Sequence, residues 1–255
     1  MKRALLLTPV LILAAGCQTR PTAPASAAPA PKAQAPAATA RWTADGARDE
    51  HPFGGYIVRN NIWGTGPGPQ SIWAESQARW GVHADHPETE GVKSYPHAGR
   101  EIGRRLGELQ SLKSRFAVTV PAAGSYNSAY DIWCEKHAYE IMLWFNWRGK
   151  MGPIARSWDA TGKPAVEVEN VTVGGHTWDI YKGTNGYNVV ISFMCTSQTA
   201  AGEVDVKAIL DWINARGWFT QRDQVLVDEV QFGWEIAGSP GGLDFAVSDF
   251  AVEAK

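Results

Sequence analysis

The run Tyr139-Glu140-Ile141-Met142-Leu143-Trp144-Phe145-Asn146-Trp147 carries a large side chain at nearly every position and contains neither glycine nor proline. On an extended strand, successive side chains point to opposite faces. Tyr139, Ile141, Leu143, Phe145 and Trp147 then share a wholly apolar side that belongs against a core. Glu140, Met142, Trp144 and Asn146 share the other side. A carboxylate beside a methionine and an indole is not an ordinary solvated face, because exposed strands favour Thr, Lys and Ser. It suits a cleft floor, where apolar ring faces stack and a carboxylate meets a reactive carbon.

Working outward, the same alternation recurs in Val230-Gln231-Phe232-Gly233-Trp234-Glu235-Ile236. Val230, Phe232, Trp234 and Ile236 are expected to face the core, and Gln231, Gly233 and Glu235 the opposite way. Gly233 is expected to leave room beside Glu235 for a ligand. Two glutamates on one face of different strands can oppose each other across a groove, which is what glycoside hydrolysis needs. Asp131, in Tyr130-Asp131-Ile132-Trp133, lies on the preceding strand. It could hydrogen-bond Glu140, or instead cap a turn or pair with Lys136.

Further short strands are predicted over Phe116–Val120, Asn127–Cys134, Ala165–Val173, His176–Tyr181, Tyr187–Cys195, Gln224–Ile236 and Leu243–Val252. Asn185-Gly186 is a hairpin-turn signal. Val206, Ile209, Leu210 and Ile213 recur at helical spacing, with Asp205 placed to cap the start and Gly217 to follow the end. Many strands and one short helix imply an all-β, two-sheet antiparallel sandwich, a jelly roll with a concave groove.

The chain of 255 residues carries a formal net charge of -2 and no long basic tract, which argues against a nucleic-acid partner. Lys2, Arg3 and the apolar run from Ala4 to Ala15 read as a signal peptide, too short to span a bilayer comfortably. The following Gly16-Cys17 resembles a bacterial lipobox, which implies lipidation at Cys17, so residues 1–17 are expected to be the leader. Residues 18–40 are mostly Ala and Pro and are expected to form a tether, leaving residues 41–255 as one catalytic domain. The expectation is an exported protein, anchored to a membrane through Cys17, at the outer membrane or cell surface. Gln18 after Cys17 lacks the Asp associated with inner-membrane retention. Cys134 and Cys195 remain, and the sequence leaves open whether they pair. The six histidines, at 51, 83, 86, 97, 137 and 176, form no ligand spacing, so no metal site is expected.

The pieces Asn60-Asn61-Ile62-Trp63-Gly64, Val92-Lys93-Ser94-Tyr95-Pro96, Tyr130-Asp131-Ile132-Trp133, Tyr139 to Trp144, Met151-Gly152-Pro153-Ile154 and Val230 to Glu235 together resemble glycoside hydrolase family 12, in the family's order. The resemblance implies a retaining, metal-independent and cofactor-free endo-β-1,4-glucanase acting on a polysaccharide. It implies that Glu140 is the nucleophile, Glu235 the acid/base and Asp131 the residue that orients the nucleophile. It implies substrate contacts at Asn61, Trp63, Met142, Trp144 and Pro153. A xyloglucan-specific endo-β-1,4-glucanase is the nearer alternative. A non-catalytic carbohydrate-binding sandwich is the alternative of another class; it explains the twelve Trp but needs no second glutamate.

Overall fold

The computed structural model describes residues 41–255. The expected leader, the expected lipidation site Cys17 and the expected tether lie outside the described residues. The chain runs through β1 (Trp42–Ala44), β2 (Glu50–Phe53), β3 (Tyr56–Arg59), β4 (Gln70–Ser76), β5 (Arg79–Ala84), β6 (His97–Arg105), β7 (Leu112–Thr119) and β8 (Ser125–Cys134). It continues through β9 (Tyr139–Arg148), β10 (Val168–Val173), β11 (His176–Thr184), β12 (Val189–Cys195), β13 (Ala201–Asp205), helix α1 (Val206–Ala215), β14 (Leu226–Gly238) and β15 (Leu243–Ala254). These strands form two sheets. A six-stranded sheet has the order β1-β4-β5-β15-β7-β13, and a nine-stranded sheet the order β10-β11-β12-β9-β8-β14-β6-β3-β2.

The sandwich, with a single α-helix among the described residues, matches the expected class. One pairing departs from it: β12 runs parallel to β9. The β10–β11 hairpin intervenes between them, so the chain returns in the direction in which it left. The Asn185-Gly186 signal is the β11–β12 turn, with Gly186 at φ +92° and Asn185 Oδ1 accepting from the amides of Tyr187 and Asn188. Helix α1 begins as expected, its Ala208 amide donating to Asp205 Oδ1 at 3.0 Å. It ends with Gly217 at φ +70° while Trp218 N–H reaches back to the Ile213 carbonyl at 3.2 Å. Strand β6 is absent from the expected set because its residues, rich in Arg, Glu and Gly, lack apolar alternation. Gly99 belongs there for space, since a Cβ would stand 2.1 Å from Glu229 Oε1.

The core lies between the sheets, where Phe116 packs on Phe145 (centroids 4.3 Å apart) and on Phe232 (5.0 Å). Ile141, Leu143 and Phe145 of β9, and Val230, Phe232, Trp234 and Ile236 of β14, all belong to it. A smaller cluster of Ala129, Met142, Trp144, Val190 and Met194 lies on the other, concave face of the nine-stranded sheet.

Near its end, β9 departs from simple alternation. Ala129 pairs with Trp144 while Ser128 pairs with Asn146, so Phe145 is an extra residue in a bulge. An inserted residue exchanges the faces beyond it. Asn146, expected on the groove side, therefore turns inward, and its amide donates to Ser128 Oγ at 3.2 Å and to the Thr199 carbonyl. Trp147, expected in the core, turns to the concave side and packs near Trp144 with ring centroids 6.5 Å apart. Cys134 and Cys195 are both buried free thiols.

Candidate active site

The concave face of the nine-stranded sheet carries a groove of about 800 Å³ that crosses the strands, from Asn185 and Tyr187 after β11 to Arg59 on β3. Strand β8 lies between β9 and β14, and its register places the carboxylates. Glu140 sits opposite Trp133, Asp131 opposite both Met142 and Gln231, and Glu235 opposite Asn127. Period-two alternation turns Asn127, Asp131, Glu140 and Glu235 to one face, and the last three line the groove.

Burial shapes the chemistry of all three carboxyls. Burial first, and then the Glu235 charge, together lift the Glu140 carboxyl to about 7. Glu235 is also pushed up to about 7 by burial, against the pull of Asn127, whose amide donates to its Oε2. Asp131 is pushed well above the ordinary carboxylate range, by burial first and then by the charges of Glu140 and Glu235. Its Oδ1 is buried with no hydrogen-bond partner among the described residues. Burial and the neighbouring charges favour its protonated form. The Tyr95 hydroxyl lies among the same carboxyls; it donates to the Ala129 carbonyl at 3.2 Å and is held un-ionised by burial and by their charges. Asn185 reaches Glu140 from above, its amide donating to Oε2 at 3.4 Å.

A second locking system fixes the groove wall. Asn61 has φ +44°, a left-handed conformation that asparagine tolerates better than most residues. Its amide donates to the Tyr95 carbonyl at 3.0 Å, while Tyr95 N–H donates to the Asn61 carbonyl at 2.9 Å. Trp63 and Gly64 both donate to the Lys93 carbonyl, and Lys93 N–H in turn donates to the Ile236 carbonyl beside Glu235. Trp63 is thereby held at the groove edge with 59% of its surface exposed.

The groove unites acids on β8, β9 and β14 with an indole on the β3 loop, in the order of the motifs that carry the sequence resemblance. The family profile described as Glycosyl hydrolase family 12 matches residues 54–254. The chain belongs to glycosyl hydrolase family 12. Among relatives of this family 12 hydrolase, Endoglucanase S of Pectobacterium parmentieri is 27% identical, over 78% of this chain and 82% of its own length. The probable xyloglucan-specific endo-beta-1,4-glucanase A of Aspergillus terreus is 32% identical, over 74% and 79%. The solved xyloglucanase domain of NopAA, a type three effector from Sinorhizobium fredii in complex with cellobiose, superposes with a TM-score of 0.80 at 38% identity, covering 84% of this chain and 99% of that one.

The family 12 groove brings together Asp131, Glu140, Glu235, Asn61, Trp63, Met142 and Trp144. Met142 and Trp144 are almost fully buried, so they form its floor rather than projecting into it. Pro153 is corrected: it is buried, and its neighbours Gly152 and Ile154 line the groove instead. Gly233 is corrected as well. The space a Cβ would take is filled by the Pro96 carbonyl at 2.0 Å, so Gly233 admits a neighbouring strand, not a ligand.

Sequence reasoning missed a polar wall in this family 12 groove. Trp133 Nε1 donates to Gln231 Oε1 at 3.2 Å, Gln231 Nε2 to Glu229 Oε2 at 2.8 Å, and Arg59 Nη1 to Glu229 Oε1 at 2.9 Å. His97, one of the histidines without ligand spacing, lies in this wall. Burial, helped by the Arg59 charge, lowers it to about 4, so it is neutral. Nδ1 then donates to the Tyr95 carbonyl at 2.7 Å, leaving Nε2 to face Arg59 Nη1 at 3.3 Å. No motif spacing announces these residues, because Arg59, His97 and Glu229 meet only when β3, β6 and β14 pair.

Proposed function

We propose that this chain is an endo-acting, retaining β-1,4-glucanase with Glu140 as nucleophile, Glu235 as acid/base and Asp131 as the group that orients Glu140. One observation carries the reading: two carboxyls on one groove face, both shifted to about 7, one of them raised by the other's charge. Such a pair holds one proton between its members near neutrality, as an acid and a nucleophile require.

In the first step, ionised Glu140 attacks the anomeric carbon while Glu235 gives its proton to the departing glycosidic oxygen. Covalent attachment consumes the Glu140 charge, which lowers the proton affinity of Glu235. Glu235 then takes a proton from water, and the resulting hydroxide displaces Glu140 with net retention. Asp131, whose buried Oδ1 has no partner among the described residues, is the group we assign to orient the Glu140 carboxylate, by donating a hydrogen bond to it when substrate is bound. No step uses a metal or an organic cofactor. Asn61 and Trp63 bind the chain at one end of the groove, over a floor of Met142 and Trp144. Glu140→Gln is expected to abolish release of reducing ends from soluble β-glucan while retaining binding in the groove. Near-normal turnover by that variant would sink the assignment, and a product first seen as the inverted anomer would sink the retaining mechanism.

A xyloglucan substrate is the second reading. It is supported by the 38% identity to a chain described as a xyloglucanase domain and by the relative named as probably xyloglucan-specific. Initial rates on xyloglucan, mixed-linkage glucan and carboxymethylcellulose separate the readings. The leader and Cys17 support export and a lipid anchor, with the 18–40 tether holding the domain off the membrane. Cys17→Ser should release the protein from the membrane fraction; unchanged retention would refute the anchor.

A further inference from the structure

Among the described residues, large apolar side chains on the surface are few: besides Val120, they are Trp63, Tyr187 and Trp158. The first two of these rings line the groove. Trp158, 62% exposed, does not, and it joins neither hydrophobic cluster. An indole left in water forfeits one of the largest burial gains available to any side chain. Its presentation is also well built. Trp158 bridges Pro164, and Ala165 N–H donates to the Ser157 carbonyl at 2.9 Å. Asp159 Oδ1 accepts from Thr161 N at 2.8 Å, Thr161 Oγ1 at 2.7 Å and Lys163 N at 3.0 Å. Residues 157–165 thus form a hydrogen-bonded hairpin whose exposed indole serves no core.

The hairpin is continuous with the groove. Met151, Gly152 and Ile154 line it immediately upstream. Ile154 and Ala155 then lie so close over Gly183 that a Cβ there would stand 2.8 Å from Ile154 Cγ2. Arg156 N–H donates to the Lys182 carbonyl of β11 at 2.8 Å. The hairpin therefore rises from β11, the strand that leads directly to Asn185 and Tyr187 at that end of the groove. Its base is fixed to the sheet at Lys182, three positions before Asn185 of the groove wall.

We propose that Trp158 is a stacking platform for a β-1,4-linked glucan chain outside the groove, at the β11 flank, holding polysaccharide that the groove alone is too short to engage. The apolar C–H face of a pyranose fits an exposed indole, and the hydroxyls around the ring stay in water. The inference rests on the glucan reading above. It predicts that Trp158 matters for polymers and not for oligosaccharides that fill only the groove.

The test combines a binding and a kinetic arm. In native gels containing soluble xyloglucan or carboxymethylcellulose, Glu140→Gln is compared with the same protein also carrying Trp158→Ala or Trp158→Phe. Trp158→Ala should weaken retardation about five-fold, the scale of one lost aromatic contact, and Trp158→Phe should keep most of it. In the active protein, Trp158→Ala should lower the ratio of kcat/KM on polymer to kcat/KM on cellotetraose by a similar factor. Unchanged retardation together with an unchanged ratio overturns the proposal. So does a change in sedimentation coefficient for Trp158→Ala, which would make the indole a contact between copies of the chain. If no polysaccharide is cleaved at all, the glycosidase reading fails, while the gel retardation still decides the role of Trp158.

Discussion

Replacing Asp131 by Asn asks whether the third carboxyl of the groove is an acid or an anion. Asp131 is buried between two other carboxyls, and both burial and their charges push its proton affinity well above the ordinary range. A protonated Asp and an Asn are close in shape, and each offers one hydrogen-bond donor to a neighbouring carboxylate. Asp131→Asn should therefore retain activity within about ten-fold, a loss of no more than one hydrogen bond's differential strength. Asp131→Ala, which leaves no donor, should lose considerably more. The pH profile of kcat/KM on a soluble β-glucan supplies the sharper reading. The parent protein should show a bell near neutrality, falling on the acid side as Glu140 is protonated and on the alkaline side as Glu235 loses its proton, since both carboxyls stand at about 7. An uncharged Asp131 adds nothing to either limb, so Asp131→Asn should leave both in place. Were Asp131 ionised, removing its charge would stabilise the ionised forms of its neighbours. A unit charge about 7 Å away at an effective dielectric of about 20 is worth on the order of 2 kcal/mol, or about 1.5 pH units. A shift of the alkaline limb to lower pH by a unit or more in Asp131→Asn would refute the reasoning.

Two further outcomes follow from the same electrostatics. Asn127 donates to the Glu235 carboxylate and so favours its ionised form. Asn127→Ala should move the alkaline limb to higher pH, and an unmoved or acid-shifted limb would count against Glu235 as the acid. Glu235 also ties stability to pH: its folded proton affinity lies above the ordinary glutamate value of 4.5, at about 7. The native state therefore holds the proton more tightly than the unfolded chain, and the resulting stability is complete below about 4.5 and lost as pH rises through 7. Glu235→Gln, which cannot ionise, should be more stable than the parent at pH 8 by about 1–3 kcal/mol. At pH 4 that gain should vanish. Thermal unfolding at the two pH values reads the difference, and equal gains at both would show that the Glu235 charge is not the cause.

Much of this site was legible because strand alternation is a local property. Glu140, Met142 and Trp144 fall on one face of β9, and Gln231 and Glu235 on one face of β14, whatever the strands pair with. The same locality made α1 readable, since Asp205 and Gly217 act on backbone groups within a turn of themselves. Alternation stopped being reliable at Phe145, because a bulge is created by the partner strand: only opposite Ser128 and Ala129 does β9 carry one residue too many. Asn146 and Trp147 exchange faces for that reason. Gly233 is a similar case. A glycine in a strand signals close approach, but only the fold shows that the Pro96 carbonyl is what approaches.

By itself, the sequence determined a many-stranded sandwich, the side each acid would face and the two glutamates that would carry charge, because these depend on neighbours within a few residues. Only the tertiary structure decided how strongly those acids hold their protons, since burial and mutual repulsion arise when β8 brings β9 and β14 together. It alone also assembled the Arg59–Glu229 wall with His97 and set Trp158 on a hairpin beside the groove. Contacts between residues up to 170 positions apart leave no periodic trace in the chain.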